Sequence, residues 1–189
     1  MIKKLLSDTT LHQHFLAKES LISDNHLLNH AHSCDEKISN DIFNYEKDYY
    51  KLKDNQQVFW LLEYIKDIFD LNNDLPLVLL KSGVIKLKPG QSLSSHNHLD
   101  KYDINNSPDI TCLYGVKVKS TNVDDWSKNS YIMLEYDDHR WSQKKYQVPI
   151  EHRKFVLFNS SINHSVYNND NDDIILFSFQ FQTWGTATK

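Results

Sequence analysis

The sequence predicts an α+β chain that is mainly β, with helices confined to the N-terminal part. Three observations carry this reading. The texture changes near residue 77, from helical spacing to short runs of β-branched, aromatic and aliphatic residues. These runs recur, separated by polar turn-rich pieces, at the spacing expected of an antiparallel sandwich or barrel. The segment "FSFQFQTW" (177–184) alternates strictly, as a half-buried strand does.

Taken in order, the first 75 residues read as helical. "NQQVFWLLEYIKDIFDL" (55–71) sets Val58, Leu61, Leu62, Ile65, Ile68 and Phe69 on one apolar face, with Asp54 as the N-cap and Pro76 beyond its end. Upstream, "TTLHQHFLAKESLI" and "SDNHLLNHAHS" read as shorter helices or ordered loops. The strands then begin with "LVLLKSGVIKLK" and "DITCLYGVKVKS", continue through "SYIMLEYDD", "KYQVPI", "KFVLFNSS" and "NHSVYNN", and close with "DIILFSFQFQTW". The organisation expected is a helical layer over 1–76 packed on a β core over 77–189, together one structural domain.

Composition removes several function classes. A net charge of −4 argues against a general nucleic-acid binder, which needs a basic excess to track phosphates. No apolar stretch is long enough to span a membrane. "MIKKLL" begins like a leader but "SDTTLHQH" interrupts it, so the expected location is the cytoplasm, with Cys34 and Cys112 as free thiols. The 4 glycines form neither a G-x-G-x-x-G nor a G-x-x-x-x-G-K loop, and no G-x-S-x-G elbow is present.

Chemistry concentrates in "HNHLD" (96–100). An extended backbone sends alternate side chains to one face, so His96, His98 and Asp100 can converge. Imidazoles and a carboxylate suit Fe(II), Mn(II), Zn(II) or Ni(II). A metal site needs a further ligand from afar, and "KFVLFNSSINHSVYN" supplies one. It runs an apolar strand through a short turn and presents His164 at the start of the next strand.

These segments resemble two related families. "PGQSLSSHNHLDKYD" is similar to the first cupin motif, with Asp103 where cupins usually carry glutamate, and "HSVYN" to the end of the second. The same residues resemble the Fe(II)/2-oxoglutarate oxygenases over roughly 84–181: "HLDKYDINNSPDITCLYG" their H-x-D strand, "VPIEHRKFVLFNSSINHSV" their distal-histidine unit, "DDIILFSFQF" their closing strand. The second resemblance keeps the order of elements over more of the chain.

It implies a double-stranded β-helix (jelly-roll barrel) that holds Fe(II) by His98, Asp100 and His164 and consumes 2-oxoglutarate while hydroxylating a small molecule or a protein side chain. The cupin resemblance implies instead a three-histidine site, with His96 in place of Asp100, in a thiol dioxygenase or isomerase. A non-catalytic module binding a sugar or small acid is the third reading. Many oxygenases place an arginine about ten residues after the distal histidine to grip the cosubstrate; that place is Ile174 here. Ser178 matches the family's later serine, and the cation expected instead is Lys117, with Tyr114 or Thr111 as hydrogen-bonding partners. Arg140, Trp141 and Tyr102 are expected at a substrate rim.

Two other clusters read as structural. His26, His30, His32 and Cys34 have no matching second pair and fit no zinc spacing. They read as solvated or capping groups, as do His12 and His14.

Overall fold

The apolar runs after residue 76 become strands because nearly every one has a sheet neighbour on both sides. The computed structural model describes residues 2–6, 9–18, 20–38, 49–70, 76–99, 102–103, 106–119, 128–138 and 142–183. In chain order the elements are β1 (Ile2–Leu6), β2 (Thr9–Phe15), α1 (Asp24–Ser33), β3 (Tyr49–Lys51), α2 (Gln56–Asp70), β4 (Leu77–Leu87), β5 (Ser92–His96), β6 (Ile110–Lys117), β7 (Tyr131–Asp138), β8 (Ser142–Pro149), β9 (Lys154–Asn159), β10 (Asn163–Tyr167) and β11 (Ile174–Thr183). A larger sheet runs β1-β2-β9-β6-β11-β4-β3 and a smaller one β5-β10-β7-β8. Every pairing is antiparallel.

Two apolar layers follow. Between the sheets lie Leu93, Leu113, Ile132, Leu134, Phe158, Val166 and Leu176. On the outer face of the larger sheet, Cys112, Tyr114, Phe155, Phe177, Phe179 and Phe181 meet α1 and α2 through Leu27, Ala31, Leu61 and Ile65. The central strands are therefore buried on both faces, which is why they read as near-continuous apolar runs. β11 alternates as expected, yet its polar half is not solvated: Ser178 and Gln180 are 1% and 5% exposed and face inward. Helix α2 buries Val58, Leu61, Ile65 and Phe69, and Asn55, not Asp54, caps it by accepting the Gln57 N–H at 2.8 Å.

The N-terminal segment differs from the helical expectation. Residues 9–15 form a strand that pairs with β9, so the larger sheet begins upstream of residue 77. Leu11 enters the layer between the sheets, while His12 lies 6.2 Å from the Phe69 ring and His14 Nε2 meets the Tyr64 hydroxyl at 3.2 Å. Histidines filling the helix-facing side hide the alternation that would mark a strand. His26 and His32 are exposed, and the His30 ring donates to the Lys53 carbonyl at 2.8 Å. Both cysteines are buried free thiols. Arg153, at φ 62°, ties this layer to the barrel by donating twice to Asp24 at 2.8 Å and once to the Ala17 carbonyl at 2.6 Å. Among the described residues no helix is long and apolar enough to cross a membrane.

Candidate metal centre

Strand β5 ends at His96, and the residues just after it are held by the turn between β9 and β10 and by the start of β10. The His98 N–H donates to the Ser160 carbonyl at 3.0 Å, in the turn between β9 and β10. Ser160 is fully buried; its N–H donates to the Asp109 carbonyl at 2.8 Å and its hydroxyl meets Thr111 Oγ1 at 2.8 Å. Asn97 braces the same loop, donating to Asn163 Oδ1 at 2.8 Å and accepting the Leu99 N–H at 3.2 Å. On β10, His164 is the Cα partner of His96, so strand pairing itself sets the two histidines side by side.

The three rings form a cluster. A ring nitrogen from each of His96, His98 and His164 lies within 4.8 Å of the others, the one such group of metal-binding side chains among the described residues. Ring centroids are 4.3 Å (96–164), 5.0 Å (98–164) and 5.1 Å (96–98) apart. His96 Nδ1 donates to the Ser94 carbonyl at 2.8 Å and His164 Nδ1 to the Ile162 carbonyl at 3.1 Å, which leaves the lone pair of each on Nε2. Gln180 Nε2 meets His98 Nδ1 at 3.0 Å, and His98 Nε2 is buried without a hydrogen-bond partner among the described residues. An orphaned ring nitrogen facing two lone-pair nitrogens fits a bound cation.

Burial keeps all three imidazoles neutral. Desolvation is the largest cause for each; it pushes His98 down to about 3 with help from the charges of His96 and Lys81, and holds His164 well below the ordinary value. His96 is lowered as well, for the same reason. Neutral imidazole is the form that binds metal. The unfolded chain binds these protons near pH 6.5 and the folded chain does not, so stability rises with pH across the window between the two values. The metal-free protein should therefore lose stability as pH falls from about 6.5 towards 3, by up to roughly 1.4 kcal/mol per pH unit from His98, with His96 and His164 acting in the same direction, read from its melting temperature. A flat profile over that window would count against neutral burial of the cluster.

The histidines form the floor of a cavity of ≈ 330 Å³. Its walls are apolar at Ile85, Leu93, Leu113 and Val166, and polar at Ser82, Ser178, Gln180 and Lys81. β3 closes one side through Tyr49, whose ring occupies the space a Cβ at Gly83 would need.

No protein-family model matches the chain, and no curated protein matches it in sequence. Solved structures do match. A prolyl-4-hydroxylase from Pseudomonas putida aligns over 94% of this chain and 93% of its own, with TM-score 0.64 and 11% identity. A Trichoplax adhaerens prolyl hydroxylase, in complex with a hypoxia-inducible-factor peptide fragment, aligns over 91% and 83%, with TM-score 0.64 and 12% identity. The α-ketoglutarate-dependent carbocyclase SnoK of nogalamycin biosynthesis gives 90% and 78%, 0.61 and 10%. The fold is that of the 2-oxoglutarate–Fe(II) oxygenases.

Within this oxygenase fold the residues singled out from sequence fall in different places. His96, His98 and His164 come together, and Ser178 lines the cavity above them. Asp100, Arg140 and Trp141 lie outside the described residues. Tyr102 is 91% exposed. Thr111 stands behind the site, holding Ser160. Tyr114, three residues on, projects from the opposite face of β6 into the helix-side layer, since an odd spacing on a strand reverses the face. Lys117 is exposed at the far end of β6, roughly 13 Å along the strand from the cavity-lining Leu113. Two lysines line the cavity, Lys51 on β3 and Lys81 on β4. Lys51 has Glu36 at 3.7 Å, whereas Lys81, cross-strand partner of Gln180, has no carboxylate partner among the described residues. Sequence reasoning missed Lys81, Gln180 and Ser160. For Ser160 a signal existed, its place between Phe158 and His164 in the quoted distal-histidine unit "VPIEHRKFVLFNSSINHSV".

Proposed function

We propose that the chain is a non-haem Fe(II) dioxygenase that uses 2-oxoglutarate to hydroxylate a small molecule or a protein side chain. The observation that carries this is the convergence of three neutral imidazoles beneath a cavity with a lysine in its wall, on an oxygenase fold. Iron supplies what no side chain can, activation of dioxygen. The protein's own part is binding and exclusion of water. His98 and His164 hold the metal, Asp100, two residues beyond His98, supplies the carboxylate, and His96 flanks the site. Lys81 pairs with the far carboxylate of 2-oxoglutarate, with Ser178 beside it, in the role that an arginine fills elsewhere in the fold.

A second reading rests on the three-histidine group itself. If His96 is the third ligand, the site is of cupin type and 2-oxoglutarate is not used. Anaerobic titration with Fe(II) and then 2-oxoglutarate separates the two. A weak visible charge-transfer band on adding 2-oxoglutarate is the expected result. Iron binding without that band gives the site to the three-histidine reading, and no iron binding ends both.

A further inference from the structure

Gln180 occupies a place that neither the sequence motifs nor the proposed ligand set accounts for. It is 5% exposed, stands on β11 of the larger sheet, and reaches across to the loop that carries His98, with 3.0 Å between Gln180 Nε2 and His98 Nδ1. A polar side chain buried to this degree must satisfy its amide, and a histidine ring is its partner here. The contact has a consequence for the ring. An amide N–H pointing at Nδ1 requires a lone pair there, so the proton of the neutral ring sits on Nε2. That is the nitrogen left buried and unpartnered at the cluster. To bind a cation through Nε2, the ring must carry its proton on Nδ1 instead. The amide can meet that demand by rotating about its last bond, because its other end, Oε1, accepts. His96 and His164 already donate from Nδ1 to backbone carbonyls, so their tautomer is fixed in the ligating form. His98 is held by a side chain that can present either end.

We propose that Gln180 is a positioning residue for His98: its amide sets the ring plane and, by turning, selects the tautomer that binds metal. This rests on the metal-centre reading above. Outer-shell partners of this kind change metal affinity about 10- to 100-fold, and three substitutions isolate the effect. Gln180→Leu keeps the bulk and removes the amide. Gln180→Glu offers only an acceptor, which locks His98 in the ligating tautomer. Gln180→Asn keeps the amide but is too short to reach.

Co(II) alone is the probe, titrated into metal-free protein and followed by its visible ligand-field absorption. The expected result is a Kd about 10- to 100-fold weaker in Gln180→Leu, and native or tighter binding with the native spectrum in Gln180→Glu. Should Gln180→Leu lose its near-ultraviolet circular dichroism, Gln180→Asn takes its place with the same expectation. Native affinity in the Leu or Asn variant overturns the proposal. So does Gln180→Glu binding as weakly as they do, since packing alone would then explain the loss. If the unmodified protein binds no Co(II), the metal-centre reading fails and takes this inference with it. If it binds and the variants match it, only the inference fails.

Discussion

In the His164→Ala variant, Co(II) and Fe(II) binding should weaken by more than ~100-fold, beyond the range that outer-shell partners command. His164 is 1% exposed, packs edge-on against Phe158 at 4.8 Å, and has the His96 and His98 ring centroids at 4.3 and 5.0 Å. Its Nδ1 is anchored on the backbone, so Nε2 has one direction in which to act. Retained affinity in a folded His164→Ala protein would remove the centre altogether. His96→Ala and Asp100→Ala then divide the donor sets. Loss of binding in Asp100→Ala with little change in His96→Ala selects two histidines and a carboxylate. The opposite pattern selects three histidines, even though His96 and His164 are register partners in either case.

Lys81→Met should weaken 2-oxoglutarate about 10- to 100-fold, the worth of a charge-assisted hydrogen bond of about 1.5–3 kcal/mol, while leaving metal affinity equal or higher. The sign of the second effect follows from charge. Lys81 disfavours a proton on His98 and must disfavour a metal cation there too, so its removal does not weaken the metal. Titrating the iron-loaded variant with 2-oxoglutarate measures the first effect, and Co(II) titration the second. Lys117→Met is the control, expected to match the unmodified protein because Lys117 lies outside the cavity lining. Equal cosubstrate affinity in Lys81→Met would return the role to another group.

How far these residues could be read in advance depends on which face of a strand was visible in the sequence. The barrel was legible because β6, β9 and β11 are apolar on both faces. The histidines were legible through the pairing of "HNHLD" with the distant strand–turn–His unit at His164, since i, i+2 spacing alone also occurs at His12 and His14, which pack against Phe69 and Tyr64. β2 was not, since His12 and His14 stand where apolar residues would normally signal a buried face. Gln180 and Lys81 escaped for a related reason. In "FSFQFQTW" the polar member of the alternation reads as the solvated side, whereas here that side faces a cavity; in "LVLLKSG" Lys81 is solvent-exposed as a lysine is expected to be, and it lines the cavity as well. Tyr114 and Thr111 could not both have faced the site, because a spacing of three positions reverses the face on a strand.

The outer face of the larger sheet bears on where this protein could be cut. Cys112, Tyr114, Val116, Phe155, Phe177, Phe179 and Phe181 present an apolar face that, among the described residues, α1, α2 and their flanking segments cover. Removing residues 1–76 would bare a patch far larger than soluble monomers tolerate, and would strip β9 of its neighbour β2, leaving a raw sheet edge beside it. The histidine-bearing half is thus no excisable module. A fragment starting at residue 77 would carry every proposed ligand and still precipitate before it could hold a metal.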